Sequence, residues 1–229
     1  RAEKGGFEHF MLKEIFEQPR VIADTLSGRL QESQGRINLA ELDLLTHRNG
    51  SFPFDKVYAV ACGTSYHAAM VGKYYLEEMV RLPVMVDQAS EFRYRNPIID
   101  RRTLVITLSQ SGETADTLAA MDLAKKNGAK IVSICNVVDS AIARLSDVPL
   151  YTRAGPEIGV ASTKAFTTQL VMLLIMALHL RKLCGLPSIQ KEAFDAIVHL
   201  PKQMQRLLDT TDYSKLAKRY SHCPNFLYF

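Results

Sequence analysis

Short unbroken apolar runs alternate along this chain with longer segments whose apolar residues recur every three or four positions. Val57-Tyr58-Ala59-Val60-Ala61 is the first such run. It is too short for a helix and has no polar alternation, which predicts a strand buried on both faces. Val84–Val86, Leu104–Leu108, Lys130–Cys135 and Val148–Thr152 repeat the signal. Between them the helical period predicts helices over Tyr66–Val80, Ala89–Arg95, Thr114–Asn127 and Ser140–Leu145. Asn96-Pro97 and Gly128 act as stops. A long helix over Ser162–Leu183 follows the fifth run and ends before Gly185 and Pro187. Strands alternating with helices at this rhythm predict an open parallel sheet with helices on both faces. In such sheets ligands bind beyond the carboxyl ends of the strands.

The flanks read differently. Arg1–Gly6 is polar and ends in Gly-Gly, as a linker would, so a preceding segment is expected. Phe10, Ile15 and Phe16 recur at helical spacing, interrupted at Pro19. Helical pieces are expected at Val21–Leu30 and Leu39–Leu45, with polar residues between them and an Asn49-Gly50 turn after. Beyond Pro187, helices are expected at 189–208 and 213–220, and Asn225–Phe229 reads as the opening of a strand in a second domain. The expected division is therefore a helical lead-in (1–50), an α/β domain (51–187) and helices leading onward (188–229).

One stretch concentrates chemistry. In Thr103–Asp116 an apolar strand runs into Ser109-Gln110-Ser111-Gly112-Glu113-Thr114, three hydroxyls around a glycine at a helix start. Unpaired N–H groups and the helix dipole favour an anion there. Gly112 allows close backbone approach, and this pattern predicts a phosphate cradle. The plainer alternative is that Ser109 or Ser111 is only an N-cap. Cys62-Gly63-Thr64-Ser65 repeats the arrangement at the end of the first strand. A third loop, residues 154–164, brings Glu157, Ser162, Thr163 and Lys164 before the long helix; Ser162 or Thr163 as its cap is the plainer reading there. Together the loops offer many neutral donors and few charges, which suits a phosphorylated, polyhydroxylated small molecule. Neither GxGxxG nor GxxxxGK[ST] occurs, so the nucleotide fingerprints are absent.

Composition narrows the field. With 229 residues, 47% of them hydrophobic, the chain can bury one sizeable core. A net charge of +4, with basic residues scattered among acids, argues against a nucleic-acid surface. Cys62, Cys135, Cys184 and Cys223 show no CxxC or zinc spacing, so reduced thiols and a cytoplasmic location are expected. The longest apolar run, Leu170–Leu180, is shorter than the ~20 residues a bilayer needs, and no membrane association is expected. The histidines are scattered, and no metal or cofactor is expected. Cys62 as a nucleophile would need a base, for which His67 is the one nearby histidine.

The segments 61–66, 89–95, 108–118 and 155–167, with the opening His9–Pro19, resemble the sugar isomerase (SIS) domain family over nearly the whole chain. The resemblance implies a flavodoxin-like three-layer α/β/α fold with a five-stranded parallel sheet that binds fructose 6-phosphate, later glucosamine 6-phosphate. It places the phosphate on Ser109, Gln110, Ser111 and Thr114. Sugar hydroxyls fall to Gly63, Thr64 and Ser65, with Val160 and Ser162 completing the wall. Gly112, Cys62 and Glu157 are further candidates, Glu157 touching the sugar or anchoring its loop. The likeness is strongest to family members in which a glutaminase domain precedes two SIS repeats, the chain here matching the first. In those members the second repeat supplies the lysine, glutamate and histidine of the chemistry, so binding without turnover is expected of this segment. A homodimer is implied by the same likeness. Another phosphosugar isomerase or deglycase, or a non-catalytic sugar-phosphate sensor, remains an alternative. Residues 1–50 lack the basic helix-turn-helix that a regulator would carry.

Overall fold

The computed structural model describes residues 3–226. Helix α1 (Phe10–Phe16) and helix α2 (Gln18–Leu26) open the chain and join at Glu17. Pro19 lies in the first turn of α2, where its missing N–H leaves no helical bond unmade. The helix expected to reach Leu30 stops at Leu26, because Gly28 takes a left-handed turn at φ +75°. Instead β1 (Leu30–Gln31) pairs antiparallel with β2 (Arg36–Ile37), a small ribbon. The expected helix at Leu39–Leu45 is a 3-10 helix, Ala40–Leu45.

The main sheet then builds in order: β3 (Lys56–Ala61), α3 (Gly63–Met79), β4 (Val84–Gln88), α4 (Ala89–Phe92), β5 (Thr103–Ser109), α5 (Ala115–Lys126), β6 (Lys130–Cys135), α6 (Ala141–Leu145), β7 (Val148–Tyr151) and α7 (Lys164–Leu183). Its five strands are all parallel, in the spatial order β4-β3-β5-β6-β7. Counted within this sheet the order is 2-1-3-4-5, the flavodoxin-like arrangement. Successive side chains of a strand point to opposite faces. Val57, Ala59, Ala61, Leu104, Ile106 and Leu108 therefore share one core with α2, α3 and α7. Tyr58, Val60, Val105 and Ile131 share the other with α4, α5 and α6. Burial on both faces is why the strands read as unbroken apolar runs. On the second face Phe92 is fully buried and its ring meets Tyr58 edge-on, centroids 5.4 Å apart.

The apolar run Leu170–Leu180 is the middle of α7. That helix has 20 residues and a mean hydropathy of 1.3 over its most apolar window, so by length and composition it is able to cross a membrane. Here its side chains are core: Met172, Leu173, Ile175, Met176 and Leu180 are fully buried against α2 and α3. Gly72 on α3 makes the close approach possible, since a Cβ there would come within 2.8 Å of the Leu173 side chain. His179 ties the lead-in to α7. Its Nδ1 accepts from the Leu39 amide at 3.2 Å and its Nε2 faces Asp43 Oδ1 at 3.0 Å. With Nδ1 accepting, the ring holds its proton on Nε2.

Two further helices, α8 (Lys191–Thr210) and α9 (Tyr213–Tyr220), complete the described chain. Phe194 and Ile197 seat α8 on the first core, whereas α9 buries no residue. Asn225 and Phe226 are irregular, and the rest of the strand expected at Asn225–Phe229 lies outside the described residues. All four cysteines are unbridged. Burial holds the Cys135 and Cys184 thiols above their ordinary pKa.

The junction of α1 and α2 is fastened to α7 by charge. Lys164 Nζ, with its side chain 2% exposed, meets Glu17 Oε2 at 2.6 Å. Burial pushes the Glu17 carboxyl up, but the Lys164 hydrogen bond and the charges of Lys164, Lys13 and Arg20 outweigh it, leaving a pKa below the ordinary value. A depressed carboxyl stabilises the fold above its unfolded pKa and loses that contribution as pH falls through the folded one. Glu17→Gln should therefore cost up to about 3 kcal/mol near neutral pH, where Lys164 is left buried and unpaired. The gap between the two proteins should close below about pH 4. Urea denaturation across this range checks it, and a gap that does not vary with pH would contradict it.

Candidate functional site

The site follows from how the chain leaves two adjacent strands. β3 passes into α3 on one face of the sheet, and β5 passes into α5 on the other. Between these divergent exits lies a crevice at the carboxyl ends, the switch point of a doubly wound sheet. It holds a cavity of about 260 Å³ lined by Cys62, Thr64, Ser65, Leu108, Ser109, Gln110, Ser111, Thr114, Glu157, Gly159, Val160 and Ser162. The three hydroxyl-rich loops are thus brought to one place. Gly63 and Gly112 do not line the cavity and shape the turns behind it instead. Leu108 and Gly159 join the lining without having been predicted.

The loop after β5 is held by its own serines. Ser109 Oγ accepts the Gly112 N–H at 2.9 Å and lies 3.3 Å from Thr114 Oγ1. Ser111 Oγ accepts the Glu113 N–H at 3.3 Å. Neither serine caps α5, and its N-cap residue Thr114 makes no side-chain cap bond. The first-turn N–H groups of α5 are left to meet something from outside the helix. The Ser109–Thr114 contact uses one of the pair's two O–H groups; the other remains, as does that of Ser111. Gly112 sits at φ +70°, and a Cβ there would fall 2.0 Å from Ser140 Oγ. That closeness joins the loop to the start of α6, where the Glu113 carboxylate accepts the Ala141 N–H at 2.8 Å. Glu113 is therefore a fastener pointing away from the cavity.

The loop after β3 is tighter than the sequence suggests. α3 begins at Gly63, not Tyr66, with Gly63 at φ +56°. Thr64 and Ser65 consequently stand in its first turn. Ser65 Oγ accepts from Nε2 of Gln169, a residue of α7, at 2.9 Å. The Cys62 thiol has the Thr117 hydroxyl as its contact, 4.0 Å away. His67 packs its ring on Tyr66 and is no base for that thiol, so the structure gives the nucleophile reading no support.

The third loop is organised by Glu157, which also lines the cavity. Its Oε1 accepts from Thr163 N at 2.9 Å, Thr163 Oγ1 at 3.3 Å and Ala165 N at 3.1 Å. Its Oε2 accepts from Ser162 Oγ at 3.2 Å. Glu157 anchors this loop and caps α7, where the plainer reading of the sequence has Ser162 or Thr163 as the cap. Ser162 spends its proton on Glu157 and offers the cavity an acceptor. Val160 stands fully exposed at the rim. Two supports were not foreseen. Glu14 of α1, itself buried, accepts the main-chain N–H groups of Ile158 and Gly159. Asn136, just past β6, accepts from Ala154 N at 2.8 Å and donates to Gly155 O at 2.7 Å. An asparagine following a strand end was the visible signal for the second; nothing local marked Glu14.

Among the described residues no lysine or arginine lines the cavity, and its one carboxylate is committed to capping. Its polarity comes from hydroxyls, the Gln110 amide and a helix N-terminus. No group of His, Cys, Asp and Glu residues is arranged to hold a metal ion among the described residues. Removing the cap should be felt in the fold. Glu157→Ala is expected to cost about 1–2 kcal/mol of stability, and Glu157→Gln, which retains an acceptor, clearly less. Urea denaturation of both variants checks the order, and no loss in either would show the carboxylate is not the cap.

Comparison with known proteins agrees with this architecture. The family model described as the SIS domain matches residues 53–179. Glutamine–fructose-6-phosphate aminotransferase (isomerizing) of Clostridium tetani is 47% identical over 232 residues, covering 100% of this chain and 37% of that protein. The enzyme of the same name from Caldanaerobacter subterraneus is 49% identical over 234 residues, covering 99% and 37%. The chain thus spans little more than a third of the length of these relatives. Among solved structures, the C-terminal domain of glucosamine-fructose-6-phosphate aminotransferase from Francisella tularensis superposes with a TM-score of 0.81 at 38% identity, covering 96% of this chain and 62% of that one. A structure from Thermotoga maritima described as a glucosamine-6-phosphate deaminase shares the fold, with a TM-score of 0.66 at 22% identity over 90% of this chain and 59% of that one. With more than half of its length matched by the family model and its loops gathered at the switch point of the sheet, this chain belongs to the SIS domain family.

Proposed function

We propose that this chain is the sugar-phosphate-binding part of the isomerase portion of a glutamine–fructose-6-phosphate aminotransferase, an enzyme of amino-sugar synthesis. The observation that carries the reading is the cation-free cavity at the N-terminus of α5, walled by neutral hydroxyl and amide groups. Free first-turn N–H groups and the helix dipole favour a phosphate there. The relatives' names specify fructose 6-phosphate. In this reading Ser109, Gln110, Ser111 and Thr114 hold the phosphate, Gly63, Thr64 and Ser65 meet sugar hydroxyls, and Val160 and Ser162 close the wall.

Proton transfer between C1 and C2 of the sugar requires an acid/base group within hydrogen-bond reach. The titratable side chains on the cavity are Cys62 and Glu157, and both oxygens of Glu157 already accept protein hydrogen bonds. This chain therefore binds and orients the sugar phosphate. The acid/base residues and the ammonia come from a second SIS repeat and a glutaminase domain of the whole protein, a cytoplasmic homodimer in this proposal.

Ser111 gives the direct test. Its hydroxyl keeps a free proton for the ligand, so Ser111→Ala should weaken fructose 6-phosphate binding by about 0.5–3 kcal/mol. Thermal stability should fall only slightly, since the one protein bond lost is the exposed 3.3 Å contact with the Glu113 N–H. Calorimetric titration of both proteins reads this, and equal affinities would count against the assignment. Supplying fructose 6-phosphate and ammonia to the chain should yield no glucosamine 6-phosphate; robust turnover would contradict the division of labour.

A further inference from the structure

Behind the sugar-facing wall of the cavity lies a polar group that the core does not need. Gln169 is 2% exposed and stands on the buried side of α7, among residues that are otherwise mostly apolar. Its Nε2 donates to Ser65 Oγ at 2.9 Å. Its Oε1 is the one buried side-chain polar atom among the described residues with no hydrogen-bond partner. Burying an amide whose oxygen has no partner is costly, and a leucine or methionine would fill the same space without that cost. The amide's orientation is set by the same accounting. Turned over, it would bury an NH₂ group with both donors unmet, and an orphaned donor is rarer in proteins than an orphaned carbonyl oxygen. Close packing of α3 on α7 at Gly72 and Leu173 keeps the pair together.

We propose that Gln169 is a positioning residue for this pocket, which fixes Ser65 as a hydrogen-bond donor toward the ligand. A serine hydroxyl carries one proton and two acceptor sites. Because its oxygen already receives the Gln169 N–H, its own proton is directed elsewhere, and the open side of Ser65 is the cavity it lines. The wall at α3 therefore selects an acceptor oxygen on the ligand, such as a sugar hydroxyl or carbonyl. With the phosphate on the loop after β5, as the proposed function has it, that oxygen belongs to the sugar. The proposal rests on the sugar-phosphate reading of the cavity and adds the polarity of one wall.

The experiment is a double-mutant cycle by calorimetry, on this chain, with fructose 6-phosphate and separately with inorganic phosphate. Gln169→Met keeps the volume and removes the amide. It should weaken fructose 6-phosphate about three- to tenfold and leave inorganic phosphate unchanged. In a Ser65→Ala background the same change should have an effect below about twofold, since the group it acts through is gone. A purely structural role would persist in that background and would reach both ligands. Should the methionine variant not fold, Gln169→Asn, one methylene too short to reach Ser65, reads the same quantity. A wild-type chain that binds neither ligand would overturn the site reading itself. A wild-type chain that binds fructose 6-phosphate, with a loss undiminished by Ser65→Ala or with no loss at all, would overturn the role of Gln169 alone.

Discussion

The molecule depends on one topological constraint, the reversal of winding direction between β3 and β5. Neighbouring parallel strands whose helices fall on the same face leave no gap between their exits. Here the exits diverge, and a crevice opens at the carboxyl ends with a helix N-terminus on either side. Sheet registry and the two cores fix the positions of α3 and α5, so the gap is as rigid as the fold. The hydroxyl-bearing loops occupy a place where the first-turn N–H groups of two helices are left without helical partners.

What lines the crevice is held in place by three carboxylates, of which only Glu157 itself lines the cavity. Glu113 fastens the loop after β5 to α6, Glu157 fastens the third loop to α7, and Glu14 fastens the same loop from the lead-in. Each carboxylate accepts one or more main-chain N–H groups at a turn. These acidic residues are thus framework, and apart from Glu157 no carboxylate, lysine or arginine lines the cavity among the described residues.

Much of this was legible in the residues. The five buried strands announced themselves as apolar runs because both faces of a parallel sheet are covered, and Gly and Pro marked most helix ends. The three loops were legible because hydroxyls clustered at strand ends. Other features depend on distant partners and left no local trace. The first helix of the α/β domain starts at Gly63 because a left-handed glycine lets Thr64 and Ser65 join its first turn. Glu157 outcompeted Ser162 and Thr163 as the cap of α7 because a longer side chain folding back from five or six residues earlier reaches more donors. Gln169 lies within a helical apolar stretch and gains meaning only from Ser65, more than a hundred residues before it in the chain.

The reach of Glu14 has a consequence for how the chain acquires order. The amides of Ile158 and Gly159 are paired by a side chain that arrives only when α1 docks. Lead-in and third loop are thus joined by these bonds although more than 140 positions separate them in the chain. Solvent exchange at those two amides reports whether α1 is seated.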